Sequence, residues 1–398
     1  MISVPNAIDI INRETGSLIS ERVAISEAVG RVLAEPIVAD TDLPPFDRSQ
    51  MDGYAVVAKD TLKAPVVLDL VGESAAGRGW HRELKRGQAI AIMTGAPVPK
   101  GAEAVQKIEL TRLKSNNTVE ILEPTEKGRY IIRQGNEIKK GETIFGTGEI
   151  VTKNMIAAIA AFGYAKVKVS KQPRVAILGT GSEIVEIEKK PGRDQIRNSN
   201  SAMLDILSRK LGASTTILPI AKDEISDLKS QISIAAKRAD ILVITGGVSV
   251  GKYDHTKTAL TELGAKIFFE KIRLKPGKPT VFARLGKCLV FGLPGNPVSA
   301  AVTFHLFVRQ AILHLQNAIE TSAKHGFAML AADAKGAKER DTYLPAGLST
   351  SKLGQLVVHP LKWSGSSDFV GFSRAEALIL VPQGIDLAKG SVAKILYL

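Results

Sequence analysis

The feature that most constrains this chain is a stretch from residue 171 to residue 318 in which aliphatic runs alternate with longer amphipathic segments. The runs predict strands at 174–178, 214–219, 241–245, 266–269 and 287–292, and the intervening segments predict helices at 200–211, 224–238, 255–263 and 298–315. Strands made almost wholly of Val, Ile and Leu are typical of a sheet covered by helices on both faces. The pattern therefore predicts a doubly wound α/β domain over residues 171–318.

The segments before and after this domain show two other patterns of apolar and turn-forming residues. Near the N-terminus, apolar residues are spaced for one face of a helix at positions 7, 8, 10 and 11, and further helices are predicted at 26–33 and 153–162. Short strands separated by Gly, Pro and Asn are predicted at 65–71, 89–93 and 118–122, and again at 356–361, 377–382 and 393–396. The predicted fold class is multidomain α/β plus β, with helices at the front and small β domains before and after the α/β domain.

Composition excludes several classes of site and partner. The 398 residues include 53 Lys and Arg against 40 Asp and Glu, and the net charge of +13 favours phosphorylated or polyanionic partners. No basic helix or aromatic stacking array accompanies this charge, so a nucleic-acid partner is not expected. A single cysteine, Cys288, excludes an intramolecular disulfide and a multi-cysteine metal site.

The sequence shows no sign of a leader or of a membrane-spanning segment. Charged residues interrupt the apolar character of the first sixteen positions, and no basic region precedes them. The uncharged stretch 288–308 is cut by the Pro-Gly-Asn-Pro run at 294–297, which indicates a strand, a turn and a buried helix. We therefore expect a cytoplasmic protein with no membrane partner.

Glycine-rich turns follow three of the predicted strands, at the sheet edge where parallel α/β sheets bind their ligands. The candidate binding residues in these turns are Gly179, Thr180, Gly181 and Ser182, then Thr245, Gly246, Gly247, Ser249 and Gly251, then Pro294, Gly295, Asn296, Pro297 and Ser299. Backbone amides in such turns bind phosphate, although a single turn of this kind often serves only to reverse the chain. Together the three turns favour an anionic ligand.

Charged side chains near the turns extend the candidate site. Lys275 and Lys278 lie three residues apart in a segment restrained by prolines, which forms either an anion site or an exposed basic loop. Glu183, Asp223 and Asp254 offer the carboxylate oxygens that Mg²⁺ prefers. The natural inference is a phosphorylated ligand bridged by Mg²⁺.

Two upstream segments carry polar residues that a plain linker does not need. Asp52 lies in a charged and apolar stretch at 42–55, and Thr94 follows a predicted strand at the start of a proline-rich turn. If the first segment is structural, its Asp47 and Arg48 cap a turn; if it is functional, Asp52 offers a carboxylate to a site.

Five motifs in this sequence resemble those of the molybdopterin molybdenumtransferase family, the MoeA and gephyrin E-domain type. The motifs are PFDRSQMDGYA at 45–55, IMTGAP at 92–97, TGGVSVG at 245–251, KPGKP at 275–279 and LPGNP at 293–297. They occur in the order that the family shows and cover nearly the whole chain, which makes the set far more specific than any one motif.

The resemblance implies an elongated homodimer of four-domain subunits. The domains are a helical dimerisation domain over 1–45 and 141–170, an inserted β domain over 46–140, a molybdopterin-binding α/β domain over 171–318 and a C-terminal β domain over 319–398. It further implies Mg²⁺-dependent insertion of molybdate, or tungstate, into adenylylated molybdopterin, with release of AMP and molybdenum cofactor. A molybdopterin adenylyltransferase would hand over the substrate, and apo-molybdoenzymes would receive the product.

By position, the resemblance also assigns roles to residues. The implied catalytic residues are Asp52, Thr94, Glu183, Asp254, Lys275 and Lys278, with the first two reaching the ligand from the partner subunit. The implied Mg²⁺ ligands are Glu183, Asp223 and Asp254, and the implied oxyanion residues are Arg340 and Ser366.

This chain also departs from the family pattern. Ser182 replaces an acid, Ile132 an arginine, Asn136 a glutamate, Glu339 a glycine and Pro345 an arginine. A divergent paralogue, a tungstate-specific enzyme and neutral drift all fit these departures. The alternative function is a non-catalytic or divergent molybdopterin-binding dimeric scaffold.

Overall fold

A six-stranded sheet forms the centre of the α/β region. The computed structural model of the protein describes residues 1–222, 224–247 and 255–398. In spatial order the strands of this sheet are Ser214–Ile217, Arg174–Gly179, Ile241–Thr245, Cys288–Leu293, Val281–Leu285 and Lys266–Phe269. The first four run parallel, and Val281–Leu285 runs antiparallel to both of its neighbours. The doubly wound prediction is confirmed, with Val281–Leu285 as a strand that the sequence prediction lacks.

Alternate residues of the central strands enter two separate hydrophobic cores. Val175 and Ile177 pack into one core, which also contains apolar residues of the N-terminal helix Val4–Glu14. Ala176 and Leu178 pack into a second core on the other face. Because side chains along a strand point alternately to opposite faces, this division explains the unbroken aliphatic runs in the sequence.

Helices cover both faces of this sheet. They are Ser199–Arg209, Ile225–Arg238, His255–Glu262 and a continuous span made of Pro297–Thr303, the π-helical Phe304–Val308 and Arg309–Leu315. Of the helices within the described residues, only Pro297–Leu315 is long and apolar enough to cross a membrane, and most of it is buried inside the protein. His305 lies in this span, and burial lowers its pKa to about 4, as expected for a core histidine.

The C-terminal strands close into a barrel. In order around the sheet they are Asp341–Thr350, Leu356–Pro360, His325–Leu330, Val392–Tyr397 and Ala377–Val381. The first strand pairs with both the second and the last, which closes the ring. The two-residue strand Leu274–Lys275 pairs in parallel with the start of Asp341–Thr350, and the short helix Phe369–Phe372 follows the second strand.

A second six-stranded sheet occupies the region predicted as the inserted β domain. Its strands in spatial order are Ala104–Lys107, Gly53–Val56, Gln88–Ile92, Val66–Ser74, Thr118–Ile121 and Thr111–Ser115. Two small antiparallel pairs accompany it: Ile37–Val38 with Thr143–Phe145, and Arg48–Ser49 with Ile131–Ile132. The strands predicted at 65–71, 89–93 and 118–122 are confirmed.

The segments predicted as helical contain strands as well. The α-helices Val4–Glu14 and Ile156–Ala161 are present, but Ser20–Ala24 forms an antiparallel pair with Lys166–Ser170. The helix predicted at 26–33 is wrong: only the 3₁₀ turn Ile25–Glu27 forms.

The sequence of that segment explains why the helix ends so early. Gly30 adopts a φ of +82° and its N–H donates to Val151 O at 2.8 Å, which turns the chain. Val32 and Leu33 then form β-bridges to Ile150 and Val169. Pairing with a distant strand therefore overrides the local helical pattern.

The chain divides into two compact units. One comprises residues 1–35, 147–156 and 165–398, and the other comprises residues 36–146 and 157–164. The α/β sheet and the barrel belong to the first unit, and the sheet that contains Gly53–Val56 belongs to the second. The boundaries of the four predicted domains stay a prediction.

Candidate functional site

A large cavity lies where the strand order of the α/β sheet reverses. From Arg174–Gly179 the chain passes to Ser214–Ile217 on one side and then returns to Ile241–Thr245 on the other, which is the topological switch point of such sheets. We call the space beside it, of about 1030 Å³, the glycine-turn cavity. Its lining includes Thr180, Glu183, Asn198, Asn200, Thr245, Gly246, Gly247, Pro294, Gly295, Asn296 and Pro297, with Ile184, Ile187, Ile196 and Phe369 as apolar walls.

Backbone hydrogen bonds tie the three glycine turns together. Thr180 N donates to Thr245 O at 3.0 Å, and Gly246 N donates to Leu293 O at 3.3 Å. At Gly246, where φ is +96°, a Cβ would lie 2.2 Å from Thr180 O, so no larger residue fits. Gly179, Gly181 and Ser182 lie beside the cavity and are not among its lining residues.

Asn200 is a cavity residue that the sequence prediction missed. It lies in the first turn of the helix Ser199–Arg209, and its Nδ2 donates at 2.8 Å both to Thr245 Oγ1 and to Gly295 O. The only sequence signal is the polar run Asn198-Ser199-Asn200 at the helix start, which resembles ordinary helix capping.

A second space of about 560 Å³, which we call the cationic pocket, adjoins the first. Its lining residues are Lys275, Pro276, Gly277, Lys278, Pro279, Pro294, Asn296, Ser299, Arg340, Leu344, Trp363, Gly365 and Ser366. No acidic side chain occurs among these described residues. Lys275, Lys278 and Arg340 form no ion pair with any described part of the chain. Three like charges around one space favour the binding of an anion there.

Sheet pairing brings the members of this pocket together from distant parts of the sequence. Leu274 pairs in parallel with Asp341, the residue that follows Arg340, and Lys275 pairs with Thr342. On the other wall, Ser366 O accepts from Val298 N at 3.1 Å and Ser366 Oγ accepts from Asn296 Nδ2 at 2.8 Å. The two spaces share Pro279, Pro294 and Asn296.

The structure describes only part of the predicted metal site. Glu183 is exposed and is the one carboxylate in the described lining of the glycine-turn cavity. Asp223 and Asp254, and the candidate binding residues Ser249 and Gly251, lie outside the described residues. Within 1–222, 224–247 and 255–398, no group of three or more His, Cys, Asp or Glu side chains is placed to hold a metal. The predicted Mg²⁺ ligand set stays a prediction.

Asp52 and Thr94, from two separate upstream motifs, form a hydrogen-bonded pair. Thr94 N donates to Asp52 Oδ1 at 2.7 Å, and Thr94 Oγ1 donates to the same oxygen at 3.0 Å. The backbone bond and then the hydroxyl bond lower the pKa of Asp52 below its usual value. Asp52 precedes Gly53, which pairs with Ile92, and this register brings the start of one strand beside the end of its neighbour.

Two half-buried carboxylates, those of Asp42 and Asp368, use their oxygens differently from Asp52. Asp42 accepts from Lys140 N with Oδ1 and from Gln134 Nε2 with Oδ2. Asp368 accepts from Gly371 N with Oδ1 and from Ser364 N with Oδ2. Asp52 Oδ2 has no hydrogen-bond partner within the described sequence. Asp368 therefore completes a local turn and Asp42 joins its segment to the distant segment 134–140, whereas Asp52 retains one oxygen for another group.

The contacts of Asp47 and Arg48, which lie shortly before Asp52 in the same motif, favour a structural role for these two residues. Asp47 forms an ion pair with Arg133 and accepts from Gln134 N at 2.8 Å. Arg48 donates to Glu137 Oε1 at 2.8 Å. These contacts connect the motif to the segment around 133–137 and so hold the loop that ends at Asp52.

Comparison with known proteins identifies the family along the whole chain. Residues 2–163 match the family model described as "MoeA N-terminal region (domain I and II)", residues 176–314 match "Probable molybdopterin binding domain", and residues 328–398 match "MoeA C-terminal region (domain IV)". The match of the second model lies over the sheet that carries the three glycine turns.

Individual relatives agree with the family models. The molybdopterin molybdenumtransferase of Staphylococcus aureus (strain COL) is 33% identical over 387 residues, which is 96% of this chain and 92% of the relative. That of Staphylococcus epidermidis (strain ATCC 35984) is 32% identical over the same shares. The crystal structure of the molybdopterin biosynthesis MoeA protein of Pyrococcus horikoshii OT3 superposes with a TM-score of 0.86 at 29% identity, and the match covers 100% of both chains. The chain therefore belongs to the MoeA family of molybdopterin molybdenumtransferases, enzymes of molybdenum cofactor biosynthesis.

Proposed function

We propose that this protein inserts molybdate, or tungstate, into the dithiolene of adenylylated molybdopterin and releases AMP and molybdenum cofactor. One observation carries the proposal: the glycine-turn cavity adjoins a pocket lined by three cations, and the two share Pro279, Pro294 and Asn296. A ligand with a phosphate end and a metal-receiving end needs two such neighbouring spaces. A non-catalytic scaffold needs no cationic pocket of this kind, so the enzyme is the better supported function.

We assign the phosphoanhydride to the glycine-turn cavity. Backbone amides at the ends of parallel strands bind phosphate without a side chain in the way. The apolar walls, which include Ile184, Ile187, Ile196 and Phe369, suit the flat ring systems of the same ligand. Hydrolysis adds water across the phosphoanhydride bond, which leaves AMP and the phosphate of molybdopterin.

We assign the oxyanion to the cationic pocket. Lys275, Lys278 and Arg340 would hold the doubly charged molybdate, and the hydroxyls of Ser299 and Ser366 can donate to its oxygens. The step balances when the two thiol protons of the dithiolene leave with one molybdate oxygen as water, while molybdenum keeps its oxidation state. The cations then stabilise the negative charge that remains on the product.

The proposed Mg²⁺ dependence rests on Glu183 together with Asp223 and Asp254. Glu183 lies at the wall of the cavity and offers oxygen ligands of the kind that Mg²⁺ prefers. A bound Mg²⁺ would neutralise charge on the phosphates as the anhydride bond is cleaved. Thr180, another lining residue of the cavity, places a hydroxyl beside the same wall.

We further propose that the active form is a homodimer in which Asp52 and Thr94 serve the site of the other subunit. The pair is exposed, and the large apolar side chains next to it are exposed as well: Met51 by 40%, Met93 by 48% and Ile108 by 53%. Apolar groups that surround an ordered carboxylate are typical of a surface that another chain covers. The free oxygen of Asp52 would then contact ligand or metal at the partner's cavity.

The remaining proposals concern cellular context. We propose that the protein acts in the cytoplasm, receives its substrate from a molybdopterin adenylyltransferase and passes the product to apo-molybdoenzymes. The class of substrate supports the first transfer, because an adenylylated dithiolene requires a preceding adenylyl-transfer reaction.

The experiment that tests the function measures AMP release from adenylylated molybdopterin by the purified protein. Parallel reactions contain molybdate, tungstate or neither, each with and without Mg²⁺. We expect release that depends on both an oxyanion and Mg²⁺. If the protein binds the substrate tightly but releases no AMP in any of these reactions, the enzyme function is rejected and the scaffold function is supported.

A further inference from the structure

Asn200 connects two of the turns that form the glycine-turn cavity. Its side-chain nitrogen donates at 2.8 Å to Thr245 Oγ1, at the end of strand Ile241–Thr245, and at 2.8 Å to Gly295 O, in the turn after Cys288–Leu293. Asn200 is only 8% exposed. One buried amide group therefore contacts the ends of two neighbouring strands.

The hydrogen-bond network fixes the orientation of this amide. Gly295 O can only accept a hydrogen bond, so the NH₂ group of Asn200 must face it. Thr245 Oγ1 donates to Pro294 O at 3.3 Å and can accept from Asn200 at the same time. A flipped amide would place two carbonyl oxygens against each other.

The other end of the amide has no such support. Asn200 Oδ1 is shielded from solvent and has no hydrogen-bond partner in the part of the chain that the structure describes. A buried acceptor without a donor costs free energy. The two N–H groups are therefore the part of the amide that holds the turns, and an unfavourable group at the wall of a ligand cavity is typical of a functional position.

The spacing that Asn200 controls is narrow. A Cβ on Gly295 would lie 3.6 Å from the Cα of Gly246, so the two glycine turns are almost in contact. Gly246 in turn lies against Thr180 O, which closes the row of three strand ends. A small movement of Gly295 would change the space above all three turns.

From this geometry we infer that Asn200 is the positioning residue that sets the spacing of the Thr245–Gly246 and Pro294–Gly295 turns and so the fit of the phosphate ligand. The inference deepens the proposed function and rests on it, because it assigns the ligand to that cavity. Asn200 acts through the hydroxyl of Thr245 and the carbonyl group of Gly295 and needs no contact with the reacting atoms.

The test compares Asn200→Ala and Asn200→Leu with the matched control Ser201→Ala. Ser201 is the next residue and is also buried, and its hydroxyl has no hydrogen-bond partner among the described residues and so forms no bond to either turn. The probes are AMP for the glycine-turn cavity and molybdate for the cationic pocket, which Asn200 does not line. We expect both Asn200 variants to weaken AMP binding about tenfold or more, while molybdate affinity stays within about twofold. Ser201→Ala should leave both affinities unchanged.

Hydrogen exchange provides a readout that does not depend on any ligand. Peptides covering 241–247 and 293–299 should exchange faster in both Asn200 variants and at the wild-type rate in Ser201→Ala. A Thr245→Val, Asn200→Ala double-mutant cycle should show non-additive losses in AMP affinity, because both changes remove the same bond.

The outcomes separate this inference from the proposed function. Unchanged exchange in both Asn200 variants would overturn the inference, and so would faster exchange with wild-type AMP affinity. Equal losses of AMP and molybdate affinity would indicate general destabilisation and would also overturn it. If the wild-type protein binds no AMP, the proposed function fails, and the exchange measurement alone decides whether Asn200 fixes the turns.

Discussion

The cationic pocket carries positive charge and the Asp52–Thr94 pair carries negative charge, and the two regions differ in how the surrounding residues stabilise that charge. In the pocket, Lys275, Lys278 and Arg340 line one space and form no ion pair with described residues. In the pair, a single carboxylate oxygen accepts two hydrogen bonds from Thr94, and both bonds lower the pKa of Asp52. The pocket depends on a ligand to neutralise its charge, whereas the pair orients its charge before any ligand arrives.

This difference predicts which property of the protein should change when residues of each region are substituted. Like charges around one pocket repel each other, so an anion that binds there should stabilise the folded protein as well as serve the reaction. The carboxylate of Asp52 already has its hydrogen bonds, so its free oxygen is available for chemistry and contributes little to the fold. Substitutions in the pocket should therefore change ligand affinity, and substitutions in the pair should change rate.

The largest expected effect follows removal of the Asp52 carboxylate. Asp52→Ala should lower the rate of AMP release about 100-fold or more, the range typical of a carboxylate that acts directly on the reacting groups. Thermal unfolding should show at most a small loss of stability, and size-exclusion chromatography should show an unchanged oligomeric state, because the side chain is exposed and its only described bonds are those to Thr94.

Asp69→Ala is the matched control for this prediction. Asp69 is an exposed aspartate in strand Val66–Ser74 of the same sheet, and its substitution by alanine changes the net charge by the same amount. Its variant should turn over at the wild-type rate. Wild-type turnover by Asp52→Ala itself would show that the carboxylate is structural.

The second prediction concerns the cations of the pocket. Lys275→Ala and Arg340→Ala should each raise the Kd for molybdate about tenfold, because a cation near a protein surface stabilises a bound anion by about 1–2 kcal/mol after screening. The effect should shrink as ionic strength rises. Trp363 lines the pocket and reports binding by its fluorescence in a Trp80→Phe background, where it is the remaining tryptophan.

Lys287→Ala supplies the control for the charge itself. Lys287 is exposed at the turn between strands Val281–Leu285 and Cys288–Leu293 and lines neither space. Its loss should leave molybdate affinity within about twofold of wild type. Equal effects of Lys287→Ala and Lys275→Ala would mean that overall net charge, and no specific pocket, attracts the oxyanion.

The same comparison shows how far the sequence predicts this site. Each polar motif is visible in the sequence because strand ends, glycines and prolines leave a local pattern. The contacts between motifs depend on register: Asp52 meets Thr94 because Gly53 pairs with Ile92. Local patterns carry no information about such pairings, which are set by packing across the whole sheet.

The α/β domain was more predictable than the segment before it for a related reason. Its strands are buried on both faces, so burial alone dictates a run of aliphatic residues. The segment 26–33 has a helical pattern of apolar residues, but Gly30 and the bridge from Leu33 to Val169 give it another structure. Asn200 was missed because an asparagine in the first turn of a helix usually serves that helix alone.

A smaller effect is expected from the hydroxyl that supports Asp52. Thr94→Val removes one of the two hydrogen bonds to Oδ1 and keeps the backbone N–H. The loss of one such bond, worth about 1 kcal/mol, should lower the rate of AMP release about fivefold. Thr94→Ser keeps the hydroxyl and should restore most of the rate, which a purely steric role for the side chain would not produce.

The smallest expected effect is a shift in the pKa of Asp52 in Thr94→Val. The backbone N–H of Thr94 is the larger cause of the lowered pKa, and the hydroxyl is the smaller one, so the variant should move the pKa only part of the way back toward 3.8. A carboxylate with a lowered pKa stabilises the fold at pH values above 3.8, and this stabilisation is lost as the pH falls through the folded-state pKa. Thr94→Val should therefore lose less stability on acidification than the wild type.

A ¹³C NMR titration of the Asp52 carboxyl, assigned with Asp52→Asn, measures the shift directly. An unchanged pKa would mean that the backbone N–H alone holds the charge, and the hydroxyl of Thr94 would then be free to serve the ligand.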